Sequence, residues 1–182
     1  MLDAAMQCFA RQGYDGTRVK HIAERAGVSD GALYRHFHSK EELAQRLYAQ
    51  TMGTYSRMLQ EAAQASDSIR RRLEGCLKAG LALYRANPDA MTFAVLRQHT
   101  FMPNLPKDFL FPIQIVEGVV REGQEKAEIR AGDPKLLAAI YSGCLLRPII
   151  VSQLAATGSF DLLNDTSQDN VILDAAWAAL ER

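Results

Sequence analysis

The segment from Thr17 to Lys40, TRVKHIAERAGVSDGALYRHFHSK, leaves this chain little freedom in how it can fold. Thr17 precedes an apolar-periodic run, where an N-cap's side-chain oxygen can accept an orphan backbone N–H. Val19, Ile22, Ala23 and Ala26 then recur on one face at helical spacing. Gly27 can adopt the positive φ that ends a helix, and Ser29 is placed to cap the next one. Leu33 and Phe37, four apart, form the inward side of that second helix. A helix, a short Gly-containing turn and a second helix form the arrangement that sets a recognition helix into a DNA major groove.

The outward side of the second helix is chemically consistent with that use. Opposite the Leu33/Phe37 stripe stand Gly31, Ala32 and Arg35, with Tyr34 and His36 on the flanks. Gly and Ala allow close approach of the backbone, and Arg is suited to bidentate hydrogen bonds with guanine O6 and N7. Tyr34 and His36 can donate to phosphates or bases. Residue by residue, an ordinary solvent-exposed helix accounts for these side chains equally well; caps, turn and face together favour DNA.

From Met1 to about Leu47 the sequence, LDAAMQCFARQGYDGTRVKHIAERAGVSDGALYRHFHSKEEL in particular, resembles the DNA-binding domain of the TetR family of transcriptional regulators. The resemblance implies that Gly31–Phe37 enters the major groove, with Thr17, Tyr34 and Lys40 on phosphates and Gly31, Ala32, Arg35 and His36 near bases. Arg18, beside Thr17, joins this candidate set. Asp30 stands where the family often has a neutral or basic residue. It would repel phosphate, yet in a first helical turn it favours the dipole, so it is not counted as a contact. Family members carry a short, often basic arm ahead of the first helix. Here the sequence starts almost at that helix, so either the arm lies outside the sequence or backbone contacts are fewer.

Formal net charge is zero over 182 residues, which disfavours a globally basic nucleic-acid binder. The charge is local instead: Thr17–Lys40 holds five Lys/Arg against two acids, plus histidines 21, 36 and 38. Modest affinity for arbitrary DNA with appreciable salt sensitivity follows. Cys8, Cys76 and Cys144 lack metal-ligand spacing and read as reduced, buried thiols of a cytoplasmic protein. No signal peptide is visible, and no metal or cofactor is expected. The apolar run Leu136–Ala156 reaches membrane length but contains Arg147 and Pro148, and a central Arg costs roughly 2.5–3.5 kcal/mol on insertion scales. It is predicted to be a buried helix rather than a membrane span.

Along the chain, Leu2, Ala5, Met6, Phe9 and Ala10 predict a first helix ending at Gly13. Ser39-Lys40-Glu41-Glu42 forms a capping box opening a helix with no breaker before Ser66, about 25 residues and nearly 40 Å long. Further helices are expected over 68–86, with Arg70–Arg72 as a solvated face, and over 89–99, capped by Asn87-Pro88. FMPNLPKDFLFP (101–112) reads as an irregular connector. Helices to about 126, from Gly132-Asp133-Pro134 onward with a kink at Pro148, and over 169–180 complete an all-α chain. A polar loop, TGSFDLLNDTSQ, precedes the last helix. The expected organisation is TetR-like, a three-helix helix-turn-helix head over 1–47 and a C-terminal helical bundle over 48–182.

No Ser-His-acid, Cys-His, HExxH, Walker or dinucleotide pattern is present, so no catalytic residue is assigned. Three readings remain: a ligand-controlled DNA regulator, a ligand-independent DNA-binding protein, and an all-α interaction module. The resemblance implies an effector cavity in the C-terminal region. Candidates for its walls are Leu83, Tyr84, Phe93, Leu96, His99, Phe101, Phe109, Ile115, Tyr141 and Cys144, which predict an apolar or aromatic effector. The resemblance also implies a homodimer joined through the last two helices of each copy. Ile149, Ile172, Ala176, Trp177, Ala179 and Leu180 are the interface candidates, small residues allowing close approach beside one Trp. The expected partners are thus double-stranded operator DNA, a small effector and a second copy, with repression as the commoner outcome in this bacterial family.

Overall fold

The computed structural model describes residues 1–154 and 163–182. Ten α-helices lie among them: α1 (Leu2–Gly16), α2 (Val19–Ala26), α3 (Asp30–Tyr34), α4 (Lys40–Gln64), α5 (Ile69–Ala86), α6 (Pro88–Leu96), α7 (Gln98–Phe101), α8 (Pro112–Glu125), α9 (Pro134–Leu154) and α10 (Asp169–Ala178). Short 3-10 turns occur at Met102–Asn104 and Thr166–Gln168. Extended pairing among the described residues is limited to one antiparallel bridge between Ile129 and Glu181. The all-α expectation holds. Half of the loop expected over 157–168, residues 157–162, falls outside the described residues.

Contacts divide the chain into two compact units, and they do not follow chain order. Met1–Thr51 groups with Asn87–Pro106, and Met52–Ala86 groups with Lys107–Arg182. The first compact unit thus contains the head expected over 1–47, runs four residues further into α4 and also takes in α6 and α7. Aromatic packing is the reason. Phe93 of α6 stacks on Phe9 of α1 with ring centroids 5.4 Å apart, and Phe101 of α7 meets Tyr14 edge-on at 5.8 Å. All four rings are buried, each contributing about 1.5–3 kcal/mol of burial energy. The spacing pattern of 87–106 shows that a helix is there, but not which apolar face receives it.

Within the first unit the punctuation residues act largely as expected. Gly13 breaks α1 at φ +72°, and one further turn carries the helix to Gly16. Gly27 ends α2 at φ +67° in the left-handed region. Ser29 Oγ accepts from the Ala32 N–H at 3.1 Å, and Asn87 Oδ1 accepts from the Ala90 N–H at 3.0 Å. Ser39 Oγ accepts from the Glu42 N–H at 3.0 Å, while the Glu42 carboxylate accepts from His38 rather than from Ser39. The expected helix over 89–99 is broken at Arg97, which ends α6 and begins α7.

In the second unit α5 presents Ile69, Leu73, Cys76, Leu77, Leu81 and Tyr84 to the core. Gly80 lets α5 approach so closely that an added Cβ would collide with Leu145 and lie 3.0 Å from the Tyr55 hydroxyl. The arginines expected as a solvated face are mostly engaged. Arg72 pairs with Glu122 of α8 at 2.7 Å, and Arg70 lies 5.4 Å over the Trp177 ring of α10; Arg71 is exposed. Arg85 forks onto Asp169 at the start of α10.

Helix α9 is the expected long apolar helix, and it continues past Pro148. It is long and apolar enough to cross a membrane by length and composition. Only one of its faces is buried, through Leu137, Ala138, Tyr141, Leu145 and Ile149; Leu136 and Ile140 are 59% and 46% exposed. The expectation of a buried helix is thus half right. A 21-residue helix packed on one side keeps its other side outside the chain's own core.

Candidate nucleic-acid interface

The turn geometry fixes which side of α3 faces outward. Leu33 and Phe37 are buried at 1% and 4%, which leaves Gly31, Tyr34, Arg35 and His36 exposed and Ala32 half-exposed. Helical hydrogen bonding outlasts the regular helix, since the Phe37 N–H still donates to the Leu33 carbonyl at 3.0 Å. Arg35 and His36 therefore stay on the last turn of α3 instead of fraying into the following loop. An added Cβ at Gly31 would meet no atom within 4 Å, so nothing in the chain's own packing demands a glycine there. A helical Gly costs about 1 kcal/mol relative to Ala. Close approach by an outside partner is the gain that can offset that cost.

Arg18, at the start of α2, is exposed, and its backbone N–H donates to His21 Nδ1 at 3.3 Å. Thr17 behaves differently from expectation. It is 1% exposed, and its hydroxyl donates to the carbonyls of Gly13 at 2.7 Å and Cys8 at 3.1 Å. It closes the end of α1 and does not cap α2, so its side chain is not presented to a phosphate. Lys40 is half-buried, with Nζ donating to the carbonyls of Tyr14 at 2.9 Å and Thr17 at 3.0 Å and lying 4.4 Å over the Tyr14 ring. Asp30 is exposed at the first position of α3, where a carboxylate suits the helix dipole. Arg46, which sequence reading passed over, is exposed and lies 5.5 Å over the Phe37 ring.

The effector candidates fall in both units. Phe93, Leu96, His99 and Phe101 belong to the first, where Phe93 and Phe101 are spent in the aromatic cluster and Leu96 and His99 are exposed. Leu83, Tyr84, Phe109, Ile115, Tyr141 and Cys144 belong to the second. Tyr84, Ile115 and Tyr141 are buried there, while Leu83, Phe109 and Cys144 are half-buried. Phe109 meets Phe111 at 5.0 Å. The Tyr141 hydroxyl donates to the Leu73 carbonyl, and burial first, with Cys76 and Tyr55 nearby, pushes it well above the ordinary tyrosine range. Cys76 is pushed up to about 12 by burial, so it is an inert core thiol.

The interface candidates are also divided by burial. Ile149, Ala176 and Leu180 are 0% exposed within one chain, so their side chains pack in that chain's own core. Ile172, Trp177 and Ala179 are half-buried. Other positions on α8 and α9 are exposed: Gln114, Gly118 and Arg121 on one helix, Leu136, Ile140 and Arg147 on the other. Added Cβ atoms at Gly118 and at the half-buried Gly143 would meet nothing within 4 Å. Periodicity marks apolar helices, but it cannot separate a face buried at home from one left for a partner.

A capped two-helix unit with a clean polar face on α3, joined to an all-helical second unit, defines a helix-turn-helix protein of the TetR fold. Comparison with known proteins agrees. Residues 1–47 match the family described as bacterial regulatory proteins, tetR family. The fatty acid metabolism regulator protein of Bacillus subtilis is 27% identical over 180 residues, covering 95% of this chain and 87% of that protein. The solved structure of the transcriptional regulator FadR from Bacillus subtilis in complex with stearoyl-CoA superposes with a TM-score of 0.75 at 20% identity, covering 98% of this chain and 96% of that one. AibR in complex with isovaleryl coenzyme A and operator DNA gives a TM-score of 0.72 at 18% identity, covering 99% and 95%. The chain thus has the TetR fold, and its first 47 residues match the tetR family of bacterial regulatory proteins.

Proposed function

We propose that this chain is a cytoplasmic, ligand-responsive repressor that binds palindromic operator DNA as a homodimer and is released by a largely apolar effector. The exposed Gly31–His36 face of α3 carries the reading, because it combines close backbone approach with an exposed fork-shaped donor, Arg35. The proposed contact set is Arg18, Gly31, Ala32, Tyr34, Arg35 and His36, with Lys40 as a second role for a residue already engaged. Two such heads, held at fixed spacing, would enter successive major grooves. The exposed sides of α8 and α9 are the proposed dimer surface: Leu136 and Ile140 supply apolar area, and Gly118 and Gly143 permit close helix approach.

The effector class proposed is an acyl-coenzyme A thioester. Support comes from the relatives, one a fatty acid metabolism regulator over nearly its full length and two solved with acyl-coenzyme A ligands. An acyl chain matches the apolar effector expected from the sequence, while the coenzyme A end widens that expectation to include charge. The interior of the second unit is rich in aliphatic and tyrosine side chains, which suits a hydrocarbon tail. Effector binding is proposed to displace α4, which runs without a break from one unit into the other. A difference of a few kcal/mol in DNA affinity between two states is sufficient.

Selection of duplexes from random DNA, followed by competition with acyl-coenzyme A of several chain lengths, tests the reading. A palindromic consensus released by long or branched acyl thioesters, and not by coenzyme A alone, is expected. A consensus that no thioester releases would favour the ligand-independent DNA-binding protein, and failure to enrich any sequence would favour the interaction module.

A further inference from the structure

At the C-terminal turn of α1 two cations from distant parts of the chain meet one aromatic ring. Lys40, the first residue of α4, lies 4.4 Å over Tyr14, and Arg97, between α6 and α7, has its guanidinium carbon 5.2 Å from the same centroid. Arg97 Nη2 also donates to Asp15 Oδ2 at 2.8 Å. Neither the helix periodicity nor the interface motif assigns Arg97 a role.

The surroundings show that Arg97 is fixed in place. Its N–H donates to the Phe93 carbonyl at 3.0 Å, and its own carbonyl accepts from Thr100 and Phe101. Phe93 and Phe101, on either side of it, pack against Tyr14 at 6.4 and 5.8 Å. Gln45 of α4 donates to the Phe101 carbonyl at 3.1 Å. The α6–α7 corner is therefore held on the segment 13–17, and that segment supplies the carbonyls of Tyr14 and Thr17 that hold Lys40. Arg18, the first exposed residue of the proposed interface, follows directly.

We infer that Arg97 is a positioning residue for DNA binding: through Asp15 and the Tyr14 ring it locks the α1–α2 turn and the start of α4 in the geometry the interface needs. This rests on the DNA-binding reading above. Arg97 contacts no recognition residue; it acts by preorganising the turn that precedes Arg18 and the carbonyls that orient Lys40. The pair is at the surface, with side chains 33% and 81% exposed, so its loss should barely change global stability.

The test uses the full chain with Arg97→Gln, Asp15→Asn, the double variant and Arg97→Lys. Without DNA, hydrogen exchange of amides over residues 14–21 should rise about three-fold in the first three variants, with exchange in the second unit unchanged. On a duplex recovered by selection, Arg97→Gln and Asp15→Asn should each weaken binding about three- to ten-fold, and the double variant should be no weaker than the worse single. Arg97→Lys should recover most of the affinity, and the slope of log Kd against log salt should match wild type in all four. Unchanged affinity and exchange, multiplicative losses, no recovery with Lys, a flatter salt slope or faster exchange throughout the chain would each overturn the assignment. If the wild-type chain selects no duplex, the DNA-binding reading fails, and the exchange arm still decides whether Arg97 orders the turn.

Discussion

Lys40 Nζ donates to the Tyr14 carbonyl at 2.9 Å, so a side chain expected on a phosphate also caps the end of α1. Its second bond, to Thr17 at 3.0 Å, satisfies another carbonyl that the helix end leaves orphaned. Lys40→Ala should then have two effects. Urea unfolding should show a loss of about 1–3 kcal/mol, because hydrogen bonds to a charged donor are among the stronger ones. Binding to selected and unrelated duplexes should weaken alike, since no base is read.

Arg35 contrasts with Lys40 in being exposed on the outward side of α3. Arg35→Ala should leave the melting temperature within a degree or so of wild type. Competition among single-base variants of the selected duplex should show relaxed preference at one base pair per half-site, with about 1–3 kcal/mol lost on the preferred sequence. Equal discrimination by both proteins would remove Arg35 from direct readout.

Ile140 is 46% exposed, two turns into α9, and tests the proposed dimer surface. Ile140→Glu places a charge where a second copy would bury it, so light scattering should give a monomer whose circular dichroism is unchanged. Trp177→Ala should leave the dimer intact, because Trp177 lies against Arg70 within its own chain. The reverse pattern would return the interface to α10.

Acid should weaken the second unit through Glu122. Hydrogen bonds from Lys126 first and then Arg72 hold this carboxyl below its ordinary range. A folded-state pKa below the unfolded one adds stability above the unfolded value, and that contribution fades as pH falls through the folded value. The melting temperature should therefore drop as pH is lowered below about 4, and Glu122→Gln should flatten part of that drop. A parallel decline in both proteins would show that the Arg72–Glu122–Lys126 group contributes nothing to acid sensitivity.

Much of the helix-turn-helix was legible because its determinants are local. Gly27 at positive φ, Ser29 on Ala32, and Leu33 with Phe37 turned inward need only the neighbouring few residues. The same local logic placed α4 over 25 residues and recovered the Asn87 cap. Thr17 was misread because the same hydroxyl could either cap α2 or close α1, and the approach of the Cys8 and Gly13 carbonyls decided between them. Arg97 was not read at all. Its partners Asp15 and Tyr14 lie more than 80 residues away, and no periodicity connects them.

By itself the sequence determined the all-α class, the capped recognition unit and its outward Gly31–His36 face, since caps, turns and a 3.6-residue period act over short range. Only the tertiary structure decided that residues 87–106 share a compact unit with residues 1–51, that Lys40 and Thr17 are engaged at the end of α1, and that Ile149, Ala176 and Leu180 are core while Leu136 and Ile140 face outward. Those outcomes depend on which apolar faces find each other across long stretches of chain. Burial is non-directional, so composition and period leave that choice to the packing of the whole.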